Sequence, residues 1–158
     1  MAHIKFKFDV LNAFCNEAFE KFGFTPEESK VITDVLLLSD IYGIESHGMQ
    51  RLSRYHKGIE KGMIKVDAKP EIVFETPVSA VIDGNAGMGQ LISKFAMEKC
   101  IEKAKDVGIA VVSVRNSNHY GIAGYYAKMA CDQGLIGMAF TNSEAIVVPT
   151  FGKKAMLG

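Results

Sequence analysis

The six residues Ile109-Ala-Val-Val-Ser-Val114 constrain this chain more than any others. The run is short, nearly all apolar and rich in β-branched residues, so it reads as a strand buried on both faces. Such a strand needs helices to cover it, and one directly precedes it. Phe95, Met97, Ile101 and Ala104 recur among lysines and acids until Gly108 stops the helix. Ahead of that helix lie two short strand patterns, Glu71–Glu75 and Ser79–Asp83, and a glycine-rich turn from Gly84 to Gly89. Behind it the polar loop Arg115–His119 leads into a helix, Ile122–Gln133, stopped by Gly134. A second apolar run, Leu135–Phe140, reads as another buried strand, with Thr141–Ser143 as its polar exit. Alternating strands and helices specify an α/β chain.

The front of the chain is helical. Val10, Leu11, Phe14, Ala18, Phe19 and Phe22 fall at helical spacing before Gly23. Thr25-Pro26-Glu27-Glu28 then opens a second helix: Thr25 caps it, Pro26 takes the first helical position, and Glu28 completes a capping box. This helix runs to about Tyr42. A third is expected from Ser46 to about Lys61. The fold class is therefore α/β, with a helical N-terminal segment followed by a mixed sheet with packed helices. Pro149–Gly158 carries Phe151, Met156 and Leu157 with no later element to pack on, which reads as a chain cut in mid-fold.

Composition excludes several classes. Lys plus Arg and Asp plus Glu are equal at 18 each, so the net charge is zero and no basic footprint for nucleic acid is present. The N-terminus has no apolar signal segment, and no run approaches the ~20 apolar residues of a membrane span. The three cysteines, Cys15, Cys100 and Cys131, are scattered, and are read as reduced, mostly buried residues of a cytoplasmic chain. No cluster of His, Cys or carboxylates has metal-site spacing.

Four constellations could carry chemistry. In Ser46-His47-Gly48-Met49-Gln50-Arg51-Leu52-Ser53-Arg54-Tyr55, a continuous helix would put His47, Arg51 and Tyr55 on one face. Arg offers a planar fork for a carboxylate, His a proton near neutrality, and Tyr a hydrogen bond at the edge. The bland alternative is a solvated polar face. Arg115–Gly121 follows a strand, at the end where ligands bind in α/β folds; His119 held by Asn and Ser would be an acid beside a carbonyl, or Asn118 or Ser117 simply caps a helix. Gly84-Asn-Ala-Gly87-Met-Gly89 has GxxGxG spacing, and Arg115, not an acid, follows the next strand, so a Rossmann dinucleotide site is rejected. Thr141-Asn142-Ser143-Glu144 could hold ribose, phosphate or amide groups, or be a polar turn.

GIESHGMQRLSRY, VRNSNHYGIAGYYA and LIGMAFTNSEAIVVPTFG occur in that order, with Asp83-Gly84 and Lys103-Ala104 to Gly108-Ile109 between them. Together they resemble the malate/L-lactate dehydrogenase family, which also holds sulfolactate, ureidoglycolate and 2,3-diketogulonate oxidoreductases and is unrelated to the Rossmann dehydrogenases. The resemblance implies a non-Rossmann cofactor domain, NAD or NADP as cofactor, and a homodimer with active sites between domains. It implies a 1–75 helical segment on the substrate side and a 76–158 start of the nicotinamide-binding domain, truncated against longer relatives. Residue by residue, His119 matches the acid/base and His47 a second proton donor. Arg51 and Tyr55, with Ser46, match the substrate side, and Ser143 and Asn142 the cofactor side. Tyr120 stands where many members have Phe. The reading is an NAD(P)-dependent oxidoreductase for a small 2-hydroxy or 2-oxo acid. Two alternatives stay open: a non-catalytic folding or dimerisation module, and a lyase or hydratase using the same histidines.

Overall fold

A computed structural model describes residues 5–156. Helix α1 (Phe8–Lys21) and helix α2 (Pro26–Ile41) are the two expected helices, and they pack against each other. The capping box is present: Thr25 Oγ1 accepts from the Glu28 amide at 3.2 Å, and Glu28 Oε2 accepts from the Thr25 amide at 3.0 Å. Phe19 of α1 meets Ile32 and Leu36 of α2 in the core, joined by Cys15, Phe24, Tyr55, Ile64 and Met88.

The third helix is not continuous. Glu45–His47 and Met49–Arg51 are separate 3-10 turns, and only Leu52–Glu60 is α-helical (α3). The break has a local cause. Asp40, at the end of α2, accepts the Met49 amide at 2.8 Å, and a Cβ on Gly48 would lie 1.8 Å from Asp40 Oδ1. The acid takes the place of a helical partner and fixes the kink.

Strand β1 (Glu71–Thr76) pairs antiparallel with β2 (Ser79–Asp83), and β2 pairs parallel with β3 (Val111–Arg115). Helix α4 (Gly89–Val107) makes the crossover from β2 to β3, and helix α5 (Ala123–Cys131) follows. The sheet is mixed, as expected, with order β1-β2-β3.

Two strand expectations need correction. The run from 109 to 114 is not buried on both faces: β3 alternates exposed and half-buried residues, with Ile109 and Val111 open. Among the described residues it is an edge strand, packed by α4 on one side. Leu135–Phe140 is neither strand nor buried: Ile136 is 89% and Phe140 85% exposed. This segment lies on α5 instead of joining the sheet. The Leu135 amide donates to Ala130 O at 3.1 Å, and a Cβ on Gly137 would sit 2.2 Å from Ala127 O. An apolar run shows that a segment wants contact, not which partner it finds. The cysteines are likewise less uniform than expected: Cys15 is buried, Cys100 half-buried and Cys131 exposed, all as free thiols.

The 84–89 turn does what its glycines allow. A Cβ on Gly89 would lie 2.3 Å from Asn118 O and 2.4 Å from His119 O, so backbone passes against backbone there. Gly89→Ala should therefore destabilise the protein by about 1–3 kcal/mol through overpacking against main chain that has little room to yield. Gly124→Ala, in α5 with open space around its Cβ, should be neutral or stabilising by up to ~1 kcal/mol. Urea midpoints of the two variants check this pair; equal midpoints would show that the close approach at Gly89 is relieved at no cost.

Candidate active site

The loop after β3 is shaped by an acid. Asp83, at the end of β2, accepts from the Asn85 amide (2.9 Å), from Asn116 Nδ2 (2.9 Å) and from Arg115 Nε (3.0 Å). The Asn85 amide, then Asn116, hold its carboxyl below the usual carboxylate range. Asn118 then reaches back across the glycine turn. Its Nδ2 lies 2.9 Å from Ala86 O, 3.0 Å from Gly87 O and 3.2 Å from Met63 O. So Asn118 neither caps α5, whose N-cap Ile122 has no side-chain bond, nor holds His119. It ties the loop to the turn, and that delivers His119 to the site.

His119 meets residues from three other places. Its Nδ1 lies 2.8 Å from the Tyr55 hydroxyl, and Gln90 Nε2 donates to that same hydroxyl at 2.8 Å. The Gly121 amide also points at Nδ1, at 3.4 Å. His47 stacks on His119, with ring centroids 5.2 Å apart and planes 28° from parallel. Ser46 Oγ lies 2.9 Å from His47 Nδ1 and orients the second ring.

Although a kink replaces the single helix, His47, Arg51 and Tyr55 still converge. Arg51 Nε donates to the Ser46 carbonyl, and its two terminal nitrogens make no hydrogen bond among the described residues. Tyr55 is 1% exposed and lies behind His119, not at the open edge of the site. Burial pushes its phenol up to about 12. Asn142 and Ser143 are exposed in irregular chain, with Ser143 Oγ donating to Glu144 O at 3.0 Å. The structure does not bond them to either histidine. Thr141 beside them approaches Tyr120, the neighbour of His119.

The charged groups that act on the two histidines are cationic. Burial first, then His47, Arg51 and Arg54, pushes His119 down to about 4. Burial, Arg51 and Arg54 also lower His47. Both imidazoles are therefore neutral at pH 7, next to two guanidiniums. Two contributors were missed in the sequence. Arg54 stood in the first motif without a role. Gln90 looked like one more polar residue of α4, and only its spacing from Gly89 tied it to the turn. Among the described residues, no group of three or more His, Cys, Asp or Glu could hold a metal ion.

A small mixed sheet with a non-Rossmann glycine turn, and two stacked histidines acted on by two arginines, define the class: an α/β protein with a histidine pair beside cationic side chains. The chain belongs to the malate/L-lactate dehydrogenase family, which it matches over residues 6–158. It is 46% identical to the malate dehydrogenase of Pyrococcus abyssi over 156 residues, 99% of this chain and 43% of that one. It is 44% identical to the L-sulfolactate dehydrogenase of Methanocaldococcus jannaschii, over 90% of this chain and 41% of that one. The solved malate dehydrogenase of Pyrococcus horikoshii superposes with a TM-score of 0.81 at 45% identity, over 83% of this chain and 38% of that chain. The chain thus spans about two-fifths of the length of the curated relatives it matches. No helix among the described residues is long and apolar enough to cross a membrane.

The depressed pKa of His119 has a consequence for stability. A group whose folded pKa lies below its unfolded value binds protons more readily in the unfolded chain. Stability contributed by neutral His119 should be full above about pH 6.5 and be lost as pH falls toward about 4. His119→Gln should flatten that part of the acid slope, measured as urea midpoints between pH 7.5 and 4.5. A variant with the parent's slope would mean that the imidazole titrates as if in solvent.

Proposed function

We propose that this protein acts as an NAD(P)-dependent oxidoreductase that interconverts a small 2-hydroxy acid and its 2-oxo acid, of the malate/lactate type. One observation carries the reading: His119 stacks on His47 and is held by buried Tyr55, with Arg51 and Arg54 acting on both rings. A carboxylate needs a guanidinium fork, and the oxygen at C2 needs a partner that exchanges a proton. Both are present side by side. Relatives named for malate and for sulfolactate act on acids with two anionic groups, and a pair of arginines suits such a substrate.

In the oxidative direction the hydroxy acid loses hydride from C2 and a proton from its hydroxyl, and a C=O bond forms. In reduction the same atoms return. The nicotinamide supplies or takes the hydride when bound. This chain's part is the proton at the C2 oxygen, through His119 with His47 as the second donor, and the hold on the carboxylate through Arg51. Ser46 orients His47, and Tyr55 orients His119 from behind; we assign Tyr55 an orienting role in place of direct substrate contact.

Two places could meet the cofactor: the glycine turn and the chain after α5. The turn from 84 to 89 is filled by Asn118 and the backbone of 118–119, so it is no phosphate cradle. The exposed amide of Asn142 and hydroxyl of Ser143 have the donors and acceptors that a carboxamide or ribose requires, and we assign the cofactor contact to them. The site combines residues of the 1–75 segment with residues of 76–158, as a site between a substrate-side domain and a nicotinamide-binding domain would. We further infer a cytoplasmic homodimer acting on a free small acid. A non-catalytic module would have no use for a histidine pair held in this way. A lyase or hydratase would use the same proton chemistry, and differs by needing no nicotinamide.

His119→Ala in the intact protein should lower kcat roughly 10²- to 10⁴-fold, the usual worth of a general acid/base. Reduction of a 2-oxo acid panel, followed by loss of NADH or NADPH absorbance, reads it. Parent-like kcat in the variant would remove His119 from the chemistry, and turnover without nicotinamide would favour the lyase. Arg51→Lys should raise KM for the acid on the order of 10-fold or more while sparing the KM of the cofactor, because an ammonium cannot reproduce the fork. An unchanged KM for the acid would place its carboxylate elsewhere.

A further inference from the structure

Gln90 reaches the site from the first turn of α4, and nothing in the proposed reaction uses it. The residue is 0% exposed. Buried amides are as a rule bonded through both ends. Here Nε2 donates to the Tyr55 hydroxyl at 2.8 Å, while Oε1 is buried without a partner among the described residues. The one bond the amide makes is aimed at the phenol that holds His119.

We propose that Gln90 is a positioning residue: by donating to Tyr55 it directs the phenol's proton onto His119 Nδ1 and fixes the imidazole as the tautomer that presents Nε2–H to the site. In reduction Nε2 gives its proton to the C2 oxygen as Nδ1 takes the phenol's, which leaves a phenolate that accepts from Gln90; oxidation runs the same two transfers in reverse. The phenol carries one hydrogen. With a donor occupying a lone pair on the Gln90 side, that hydrogen has Nδ1, 2.8 Å away, as its acceptor. The Gly121 amide, aimed at Nδ1 from 3.4 Å, also requires a lone pair there. Turning the Gln90 amide over would reverse the chain, so that Tyr55 would donate to Oε1 and accept from a protonated Nδ1. That arrangement leaves an NH₂ group buried without an acceptor. Orphaned N–H groups are rarer in proteins than carbonyl oxygens with a spare lone pair. Polarity therefore runs from Gln90 to Tyr55 to His119. The second ring nitrogen of a functional histidine is commonly set by such a partner; here the partner is a phenol, and Gln90 decides which way the phenol points.

The tautomer claim stands on geometry alone, whereas its effect on turnover rests on the acid/base role given to His119 above. The test uses protein labelled with ¹⁵N at histidine, at pH 7, with the His119 signals identified by their loss in His119→Gln. In the parent, Nδ1 should show the shift of an unprotonated nitrogen and Nε2 that of a protonated one. Gln90→Met keeps the length and stem of the side chain, and Gln90→Leu serves as a second variant should the first fail to fold, each checked by its unfolding midpoint. In either folded variant the two tautomers should mix and the two nitrogen shifts should move toward one another. kcat should fall roughly 10- to 100-fold, with KM for the cofactor unchanged. Parent-like nitrogen shifts in a folded Gln90 variant overturn the proposal even if His119→Ala is inactive. Shifted nitrogens with parent-like kcat overturn the positioning role. Shifted nitrogens together with an active His119→Ala leave the tautomer assignment standing and bring down the acid/base reading instead.

Discussion

A hydroxyl group buried at 1% exposure has to find partners, because leaving it unpaired costs about 1–3 kcal/mol. Tyr55 carries that hydroxyl, and its two partners come from α4 and from the loop after β3. Three segments far apart in sequence therefore have to meet at one oxygen atom: α3, the start of α4 and the 116–121 loop. The ring of Tyr55 adds the apolar half of the constraint, since it packs in the same core as Phe19 of α1 at 6.5 Å between centroids. Tyr55 helps join the helical front to the mixed sheet, with an apolar body in the core and a polar tip at the site.

That junction demands close backbone approach, and this gives the glycines of the 84–89 turn their meaning. The turn stands between a strand and a helix, as a dinucleotide fingerprint does, but its space is taken by the chain's own loop. Asn118 occupies the carbonyls of the turn with its amide, and the carbonyls of 118 and 119 lie where a Cβ on Gly89 would be. The same absence of side chains that would admit a pyrophosphate in a Rossmann fold here admits the segment carrying the histidine. Gln90, one residue further on, is thereby pointed at Tyr55.

Much of this was legible in the sequence where a signal is local. The capping box at Thr25 and Glu28, the helix stops at Gly23 and Gly108, the two short strands and the failure of the Rossmann spacing all follow from residue chemistry within a few positions. The motif around His47, Arg51 and Tyr55 was found as well, but through a helix that the structure breaks. The cause of the break, the Asp40 carboxylate on the Met49 amide, acts from outside the motif, so no periodicity within it could show the kink. Edge status is equally non-local. Val111 is exposed and Leu135–Phe140 leaves the sheet because of what does or does not lie beside them, and apolar runs carry no record of their neighbours. Gln90 was missed for the same reason: a glutamine in a helix reads as solvated until its partner, 35 residues away, is known.

The electrostatics of the site follow from the same convergence. Burial and two guanidiniums hold both imidazoles neutral, so the positive charge of the site is confined to the arginines. On the proposed reading the acid brings the compensating negative charge. An anion seated against Arg51 and Arg54 cancels much of their effect on His119, while burial, the first cause of its depressed pKa, persists or deepens as the acid displaces solvent. On that reading the arginine share of the low His119 pKa weakens when a carboxylate is in place, while the share from burial does not. Because the arginines stand on the kinked segment and the histidine on the loop fixed by Asn118, the coupling depends on the two segments keeping their distance. The buried Tyr55 bond, with the tie from Asn118 to Met63 O, is what keeps it.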